Sequence, residues 1–198
     1  MAHMNGNQNH PAPGSQTKVE PIRKLRDIVS IKKLLQENPR NYAIFVIGIN
    51  TPLTPGELIE LKVSQVRELK PNASLEFIDE KTGKVKSCPL NSACIDAVTR
   101  LLATDHYDDE ENLFKSQRGN LIAPSLNRLV KKWCAALNIQ GNYGSQTLRK
   151  TWGYHQHYTY GVEIPTLKVC FNHASVTQTR EYLCIDEQAP DEIFAHEL

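Results

Sequence analysis

The sequence predicts an α+β domain that is mainly α-helical and contains a small antiparallel β-sheet. Two observations support this fold class. Apolar residues recur at helical spacing over most of the chain, and one short stretch instead alternates apolar and polar residues around a glycine turn. The length of 198 residues corresponds to about one domain, and 40% hydrophobic with 23% charged residues is typical of a globular protein.

Composition excludes several classes of protein. The chain has no run of about 18 apolar residues and no ordinary signal peptide, so we expect no membrane contact. Its five cysteines form no C-x-x-C pair, which favours reduced thiols over a zinc ribbon or a disulfide framework. Neither common glycine-rich nucleotide motif occurs. We therefore expect a cytoplasmic protein without a metal, a nucleotide or another cofactor.

Three segments differ in composition. Residues 1–20 are polar and rich in Gly, Pro, Asn and Gln, which predicts a disordered leader that begins with a tag-like Met-Ala-His-Met. Residues 21–185 form the predicted folded domain. Residues 186–198 form an acidic tail without Lys or Arg.

Two helices are predicted to open the domain. The first ends at Asn38-Pro39, and the second spans residues 42–49 and is expected to be closed by Gly48 and Asn50. The apolar residues of the first helix are Ile28, Ile31, Leu34 and Leu35.

The motif Thr54-Pro55-Gly56-Glu57 predicts the start of a third helix. Thr54 is expected to be its N-cap, Pro55 fits the first helical position, and Glu57 completes a capping box. Residues 58–61 are expected to continue this helix.

A β-hairpin is predicted next, followed by more helices. Leu75 and Phe77 alternate with polar residues, Gly83 provides the turn, and residues 85–89 form the returning strand. The remaining predicted helices span residues 93–102, 124–137, 146–160, 165–171 and 176–183.

The predicted helix at 124–137 has a basic face. Arg128, Lys131 and Lys132 lie together on it, opposite an apolar stripe. This face belongs to a longer stretch, residues 112–162, that has no acidic residue although the net charge of the chain is only +1. Such a stripe can follow a phosphate backbone or be simply a solvated face. The basic residues of the stretch are Lys115, Arg118, Arg128, Lys131, Lys132, Arg149 and Lys150.

Candidate chemistry lies in the last third of the chain. Gln146 and Arg149 share one face near a predicted helix start, where an amide, a guanidinium and backbone N–H groups can cradle a phosphate or a carboxylate. His173 and Tyr182 follow further on. A tyrosine beside cationic groups can act as a nucleophile, because positive charge stabilises the phenolate and the transition state.

Five segments in order resemble the boxes of the tyrosine recombinase (phage integrase) family, in its catalytic domain. They are GINTPLTPGEL at 48–58, EKTGK at 80–84 with PLN at 89–91, QTLRKT at 146–151, FNHAS at 171–175 and TREY at 179–182. They resemble, in turn, the first box GLNTGLRxSEL, the lysine hairpin, the second box H-x-L-R-[HK]-T, the LGHSS box and the nucleophile. The resemblance extends from Ile22 to about Asp186 and implies the family's catalytic-domain fold.

The resemblance implies a role for each matched residue. Tyr182 would attack the scissile phosphate and form a 3′-phosphotyrosyl link, which conserves the bond energy, so neither ATP nor a metal would be needed. Arg149 would hold the non-bridging oxygens, and Lys81 would protonate the departing 5′ oxygen. His173 and Gln146 would donate hydrogen bonds to the phosphate.

Two positions depart from the family pattern. Thr54 stands where the first box has arginine, and Gln146 stands where the second box has histidine. Gln146 keeps an amide donor but cannot act as a general base, and Thr54 lacks the charge and the reach of a guanidinium. An arginine on a transferring phosphoryl group is worth about 10³–10⁵ in rate, so we expect weakened cleavage unless another cation fills the place. The candidates are Lys62, Lys84, Lys86 and Lys150.

The resemblance also implies double-stranded DNA as the partner. It implies self-association into a tetramer on DNA, with the acidic tail docked on a neighbouring protomer. Three hypotheses stay open from the sequence: a DNA recombinase with a weakened site, a catalytically inactive DNA-binding relative, and a protein-interaction module. The expected DNA contacts are Arg128, Lys131, Lys132, Lys150 and Lys84.

Overall fold

The structure is a computed structural model that describes residues 18–78, 83–116 and 119–185. Most of the predicted leader, Lys81 and the acidic tail lie outside the described residues. In chain order the elements are α1 (Leu25–Leu35), α2 (Pro39–Asn50), α3 (Pro55–Glu60), α4 (Val63–Val66), β1 (Ser74–Ile78), β2 (Val85–Pro89), α5 (Ser92–Leu102), β3 (Lys115–Ser116), β4 (Gly119–Asn120), α6 (Ala123–Ala136), α7 (Gln146–Tyr158), α8 (Ile164–Phe171) and α9 (Val176–Leu183).

The predicted fold class is confirmed, with helices before and after a small antiparallel sheet. Strand β1 pairs with β2, and Leu75 lies opposite Cys88 on the buried face of the hairpin. A second hairpin, β3–β4, was not predicted, because its strands of two residues are too short to show alternation. Helix α3 ends at Glu60 rather than at residue 61, and a separate short helix, α4, follows.

Helix α2 is the centre of the main core. Residues 43–48 are all buried, and the helix packs against α1, α5 and α7. The prediction that Gly48 closes this helix is wrong. A Cβ on Gly48 would lie 2.7 Å from Cδ1 of Leu148, so glycine stands inside α2 where it approaches α7 closely. The chain that leaves α2 is therefore placed beside α7.

Helix α6 has the two faces that the sequence predicts. Its apolar side, which includes Leu126, Val130 and Trp133, is buried in the main core. The basic residues at 128, 131 and 132 are exposed to solvent.

The last three helices form a second, smaller core. Phe171 and Leu183 are buried there, and Trp152 packs edge-on against Phe171. A Cβ on Gly153 would overlap the ring of Phe171, so α7 meets α8 and α9 at contact distance. Helix α7 ends at Tyr158, two residues before the predicted end.

Residues 18–23, which we call the N-terminal segment, lie against the body of the domain. The predicted leader extends to residue 20, yet the backbone N–H of Glu20 donates to the carbonyl of Asn142 at 2.8 Å. Ile22 is buried in the main core. These contacts attach the N-terminal segment to the body of the domain.

No helix within the described ranges is long and apolar enough to cross a membrane. The five cysteines are free thiols, and burial raises the pKa of Cys88, Cys94 and Cys134 to about 12. These three thiols therefore act as small apolar side chains in the core.

Candidate active site

The start of helix α7 is held by helix α6. The backbone N–H of Ser145 donates to Oδ1 of Asn127 at 3.1 Å, and that of Gly144 donates to Oγ1 of Thr147 at 3.0 Å. A Cβ on Gly144 would overlap Oδ1 of Asn127, so a larger residue here would displace the Asn127 amide from its present position. These contacts fix the position of Gln146, the first residue of α7.

A tight turn places His173 beside helix α9. Helix α8 stops at Asn172, which adopts the left-handed conformation with φ 55°. Ser175 then caps α9 by accepting a hydrogen bond from the backbone N–H of Gln178 at 3.0 Å. Because Nδ1 of His173 lies 3.0 Å from Oγ1 of Thr179, helix α9 orients the imidazole.

Tyr182 contacts three other residues that the sequence predicts to belong to the site. Its hydroxyl donates a hydrogen bond to Oε1 of Gln146 at 2.8 Å. Its ring centroid lies 5.0 Å from the imidazole of His173 and 5.7 Å from Cζ of Arg149. The structure thus brings together four of the five expected catalytic residues, and the fifth, Lys81, lies outside the described residues.

Arg149 joins two parts of the chain that are distant in sequence. Its Nε donates to the carbonyl of Pro52 at 2.5 Å, and its Nη2 donates to the carbonyl of Phe171 at 3.2 Å. The guanidinium also lies over the ring of Phe171, with Cζ 4.7 Å from the centroid. These contacts orient the guanidinium beside Tyr182 and still leave some of its N–H groups for an anion.

Burial dominates the electrostatics of Tyr182. It raises the pKa of the phenol above its usual value, and the nearby Arg149 guanidinium acts in the opposite direction. The phenol is therefore neutral near pH 7 and donates its proton to Gln146 in a hydrogen bond. An attack by this oxygen requires loss of that proton, which the charge of Arg149 favours.

Comparison with known proteins assigns the chain to a family. The family model "Phage integrase family" matches residues 22–189. The chain belongs to the phage integrase family. It is 31% identical over 172 residues to the probable integrase/recombinase YoeC of Bacillus subtilis, a match that covers 85% of this chain and 91% of YoeC.

One further relative supports this assignment, and one solved structure supports the fold. Tyrosine recombinase XerC of Caldanaerobacter subterraneus is 32% identical over 167 residues, which cover 79% of this chain and 46% of XerC. The crystal structure of XerH, bound to its palindromic difH substrate, matches with a TM-score of 0.71 at 16% identity, over 91% of this chain and 54% of XerH. The chain thus spans about half the length of XerC and XerH, and it has the tyrosine recombinase catalytic-domain fold.

Thr54, which the sequence resemblance aligns with the first-box arginine, acts as a helix cap. Its Oγ1 accepts the backbone N–H of Glu57 at 3.1 Å, and the Glu57 carboxylate accepts the backbone N–H of Thr54 at 2.7 Å. Pro55 occupies the first turn, so the predicted capping box is confirmed. The side chain at this integrase position is therefore engaged in local backbone bonds.

Two of the four lysines considered as replacements for that arginine are held by other contacts. The ammonium of Lys62 donates to the carbonyl of Glu110 at 3.0 Å and to Oδ1 of Asn112 at 2.7 Å. Lys150 is 4% exposed, and its ammonium donates to the carbonyl of Val19 at 2.8 Å. The contact of Lys150 with DNA stays a prediction, and in this structure its buried ammonium is engaged by the protein.

The remaining cations expected to contact DNA are on the surface. Lys84 is exposed on the β1–β2 hairpin, and Arg128, Lys131 and Lys132 are exposed on α6. A groove of about 830 Å³ separates α6 from the β3–β4 hairpin, and Arg40 also contributes to its lining. Cationic side chains therefore line a groove beside the exposed face of α6.

His155 and His157, two residues apart on α7, contact backbone carbonyl groups. Nε2 of His155 lies 2.9 Å from the carbonyl of Ile22, and Nδ1 of His157 lies 2.9 Å from the carbonyl of Val162. Within the described residues, no group of three or more His, Cys, Asp or Glu side chains could hold a metal ion.

Sequence reasoning missed two contributors to the site. One is Asn127 of α6, whose side chain holds the start of α7. The other is the carbonyl of Pro52, which orients Arg149. An amide in a helix and a carbonyl in a loop have no motif of their own, so only their tertiary contacts identify them.

Proposed function

We propose that this protein cleaves and rejoins DNA strands, with Tyr182 as the nucleophile and a 3′-phosphotyrosyl intermediate. The observation that supports this most strongly is the hydrogen bond from the Tyr182 hydroxyl to Gln146 beside the Arg149 guanidinium. A phenol, an amide and a guanidinium at the start of one helix suit phosphoryl transfer to tyrosine.

The proposed reaction takes place at the start of helix α7. Arg149 and the amide of Gln146 donate to the non-bridging oxygens of the phosphate, and His173 donates a further hydrogen bond. The Tyr182 oxygen bonds to phosphorus as its proton leaves to water, and the bond to the 5′ oxygen breaks. Lys81 gives that oxygen a proton. Attack by a 5′ hydroxyl on the phosphotyrosine reverses these steps and rejoins the strand.

The proposed DNA surface consists of helix α6 and the β1–β2 hairpin. Arg128, Lys131 and Lys132 stand at helical spacing and are exposed, and Lys84 is exposed on the hairpin. Such a stripe can neutralise successive phosphates. The support from relatives is that XerH, which shares this fold, was solved on its difH substrate.

Cleavage is proposed to be slow because the first-box charge is missing. The loop that carries Thr54 still reaches the site, since the Pro52 carbonyl accepts the Nε–H of Arg149. It supplies no second guanidinium, and such a group is worth about 10³–10⁵ in rate on a transferring phosphoryl.

A second candidate function is DNA binding without cleavage. Two observations favour it: the side chain of Thr54 is engaged in its capping box, and protein carbonyls accept two of the N–H groups of Arg149. In this case Tyr182 would serve packing, and the basic face of α6 would carry the function.

We further propose that copies of the protein associate on DNA as a tetramer, through residues 186–198. The tail combines acidic residues with Ile193 and Phe194, so it offers both charge and apolar anchors to a neighbouring protomer. A chain that ends at Ile185 and still assembles normally on DNA would contradict this proposal.

A covalent-adduct experiment tests these functions together. The full chain and Tyr182→Phe are incubated with labelled, nicked duplexes of randomised sequence, and binding and denaturation-resistant adducts are measured. An adduct formed by the native chain and absent from Tyr182→Phe supports cleavage. Salt-dependent binding without an adduct supports the second candidate, and absence of any binding rejects both.

A further inference from the structure

The N-terminal segment runs along one face of helix α7 and is held by three consecutive contacts. The carbonyl of Val19 accepts the ammonium of Lys150 at 2.8 Å. The backbone N–H of Ile22 donates to Oγ1 of Thr151 at 2.8 Å, and the carbonyl of Ile22 lies 2.9 Å from Nε2 of His155. The segment therefore packs along α7, the helix that carries Gln146 and Arg149.

The same segment also reaches the end of helix α9. Nη2 of Arg23 donates to the carbonyl of Cys184 at 3.2 Å, directly after the last turn of the helix that carries Tyr182. Cys184 closes α9 in the left-handed conformation, with φ 57°. Helices α7 and α9 thus both contact the N-terminal segment.

Lys150 lies where these three elements meet. Its ammonium is 4.7 Å from the ring centroid of Tyr182 and 4.0 Å from Sγ of Cys184, in addition to its bond with Val19. The side chain is 4% exposed. One buried cation therefore connects the N-terminal segment to the aromatic ring of the proposed nucleophile.

The ammonium lies in desolvated surroundings. Within the described residues Lys150 forms no ion pair with a carboxylate, and its direct partners are a carbonyl, a thiol and a ring face. Burial lowers the pKa of Lys150, the charge of Lys18 lowers it further, and the charge of Glu20 acts in the opposite direction. Cation–π attraction is larger in a desolvated site than at the surface. A phenol that loses its proton becomes richer in electrons, so the same attraction increases as Tyr182 attacks.

We propose that Lys150 is a positioning residue for Tyr182, which holds the ring from the N-terminal segment and stabilises the developing phenolate. This inference rests on the proposed function of Tyr182 as a nucleophile. Gln146, Arg149 and His173 contact the same ring or its hydroxyl, so Lys150 adds a further cation to that set.

Two substitutions separate the charge of Lys150 from its role as a tether. Lys150→Met removes both, whereas Lys150→Gln removes the charge and keeps an N–H donor for the Val19 carbonyl. Thr151→Val is the matched control, because it removes a neighbouring bond to the N-terminal segment and leaves Lys150 in place. Thermal unfolding of each variant confirms that it is folded.

The first measurement is the titration of Tyr182, taken as the difference in tyrosinate absorbance between each variant and the same variant with Tyr182→Phe. We expect the midpoint to rise in both Lys150 variants and to stay unchanged in Thr151→Val. An unchanged midpoint in Lys150→Gln and Lys150→Met would overturn the proposal. This measurement needs no DNA, so it decides on Lys150 even if the native chain never forms an adduct.

The second measurement is the rate of adduct formation at saturating DNA. We expect both Lys150 variants to react about tenfold more slowly with unchanged DNA affinity, while Thr151→Val reacts like the native chain. Equal slowing in Lys150→Met and Thr151→Val, with Lys150→Gln unaffected, would show a tether alone and overturn the proposal. If the native chain forms no adduct, the proposed function fails while the titration still stands.

Discussion

Two regions border the guanidinium of Arg149, and they differ in what they keep of an integrase site. On one side, Tyr182 of α9 contacts both Gln146 of α7 and His173 of the α8–α9 turn. On the other side, the loop before α3 approaches through the Pro52 carbonyl, and Thr54 is engaged in a helix cap. One side brings together side chains that suit phosphate chemistry, and the other contributes a backbone carbonyl and no side-chain charge.

The difference shows that position and charge can be lost separately. A capping box depends only on residues three apart, so it forms from local sequence whatever lies across the site. The loop stays next to Arg149 because α2 and α7 pack closely at Gly48 and Leu148. Packing thus keeps this loop beside Arg149, so substitutions at Thr54 can test what a charge on the loop would contribute.

Removal of Arg149 should have the largest effect on this comparison. Arg149→Ala removes a guanidinium in contact with the Tyr182 ring, so we expect adduct formation to fall about 10³–10⁵-fold at saturating DNA. Arg149→Lys is the control that keeps the charge without the planar fork, and it should recover little. Cleavage by Arg149→Ala at the native rate would show that the retained half is not the active site.

Restoring the missing groups should have the next largest effect. Thr54→Arg combined with Gln146→His should raise adduct formation about 10²-fold or more, because a preorganised donor to the transition state is worth that much. Thr54→Arg also removes the N-cap, at a cost of about 1 kcal/mol in the free energy of unfolding. Thr54→Ala measures that cost by urea unfolding. No gain in cleavage would mean that the two regions differ by more than these side chains.

A methyl group at the junction of α7 and α8 tests the packing of the retained half. Gly153→Ala should lower the free energy of unfolding by about 1–3 kcal/mol, because the new Cβ would overlap the Phe171 ring. It should also slow adduct formation. Gly161→Ala, beyond the end of the same helix, is the control. Its φ of 71° strains an alanine locally, but no atom lies within 4 Å of the added Cβ. If both substitutions changed the cleavage rate equally, the packing of α7 against α8 would have no specific effect on the site.

The smallest expected effect concerns DNA binding. Lys131→Ala or Lys132→Ala should each reduce the slope of log affinity against log salt by about 1, because each lysine is expected to neutralise one phosphate. Lys70→Ala, exposed in the turn before β1, should leave the slope unchanged. Equal slopes for all three variants would place the DNA surface elsewhere and leave the role of α6 structural.

Local features were predictable from the sequence because their causes lie within a few residues. The capping box at Thr54 and the two faces of α6 both depend on spacings within one or two helical turns, and the structure shows both. Gly48 was misassigned because a glycine near a helix end resembles a terminator. The glycine is instead needed for the close contact of α2 with Leu148, which is a hundred residues away in sequence.

The sequence by itself determined the order of the longer helices and of the β1–β2 hairpin, the family resemblance and the two departures from the family pattern. Only the tertiary structure decided what surrounds those residues. It placed the Tyr182 hydroxyl on Gln146, oriented Arg149 by two carbonyls, and buried Lys150 between the N-terminal segment and the Tyr182 ring. The physical reason is that side-chain identity specifies what a group can do, whereas burial and hydrogen-bond partners come from segments far apart in the chain.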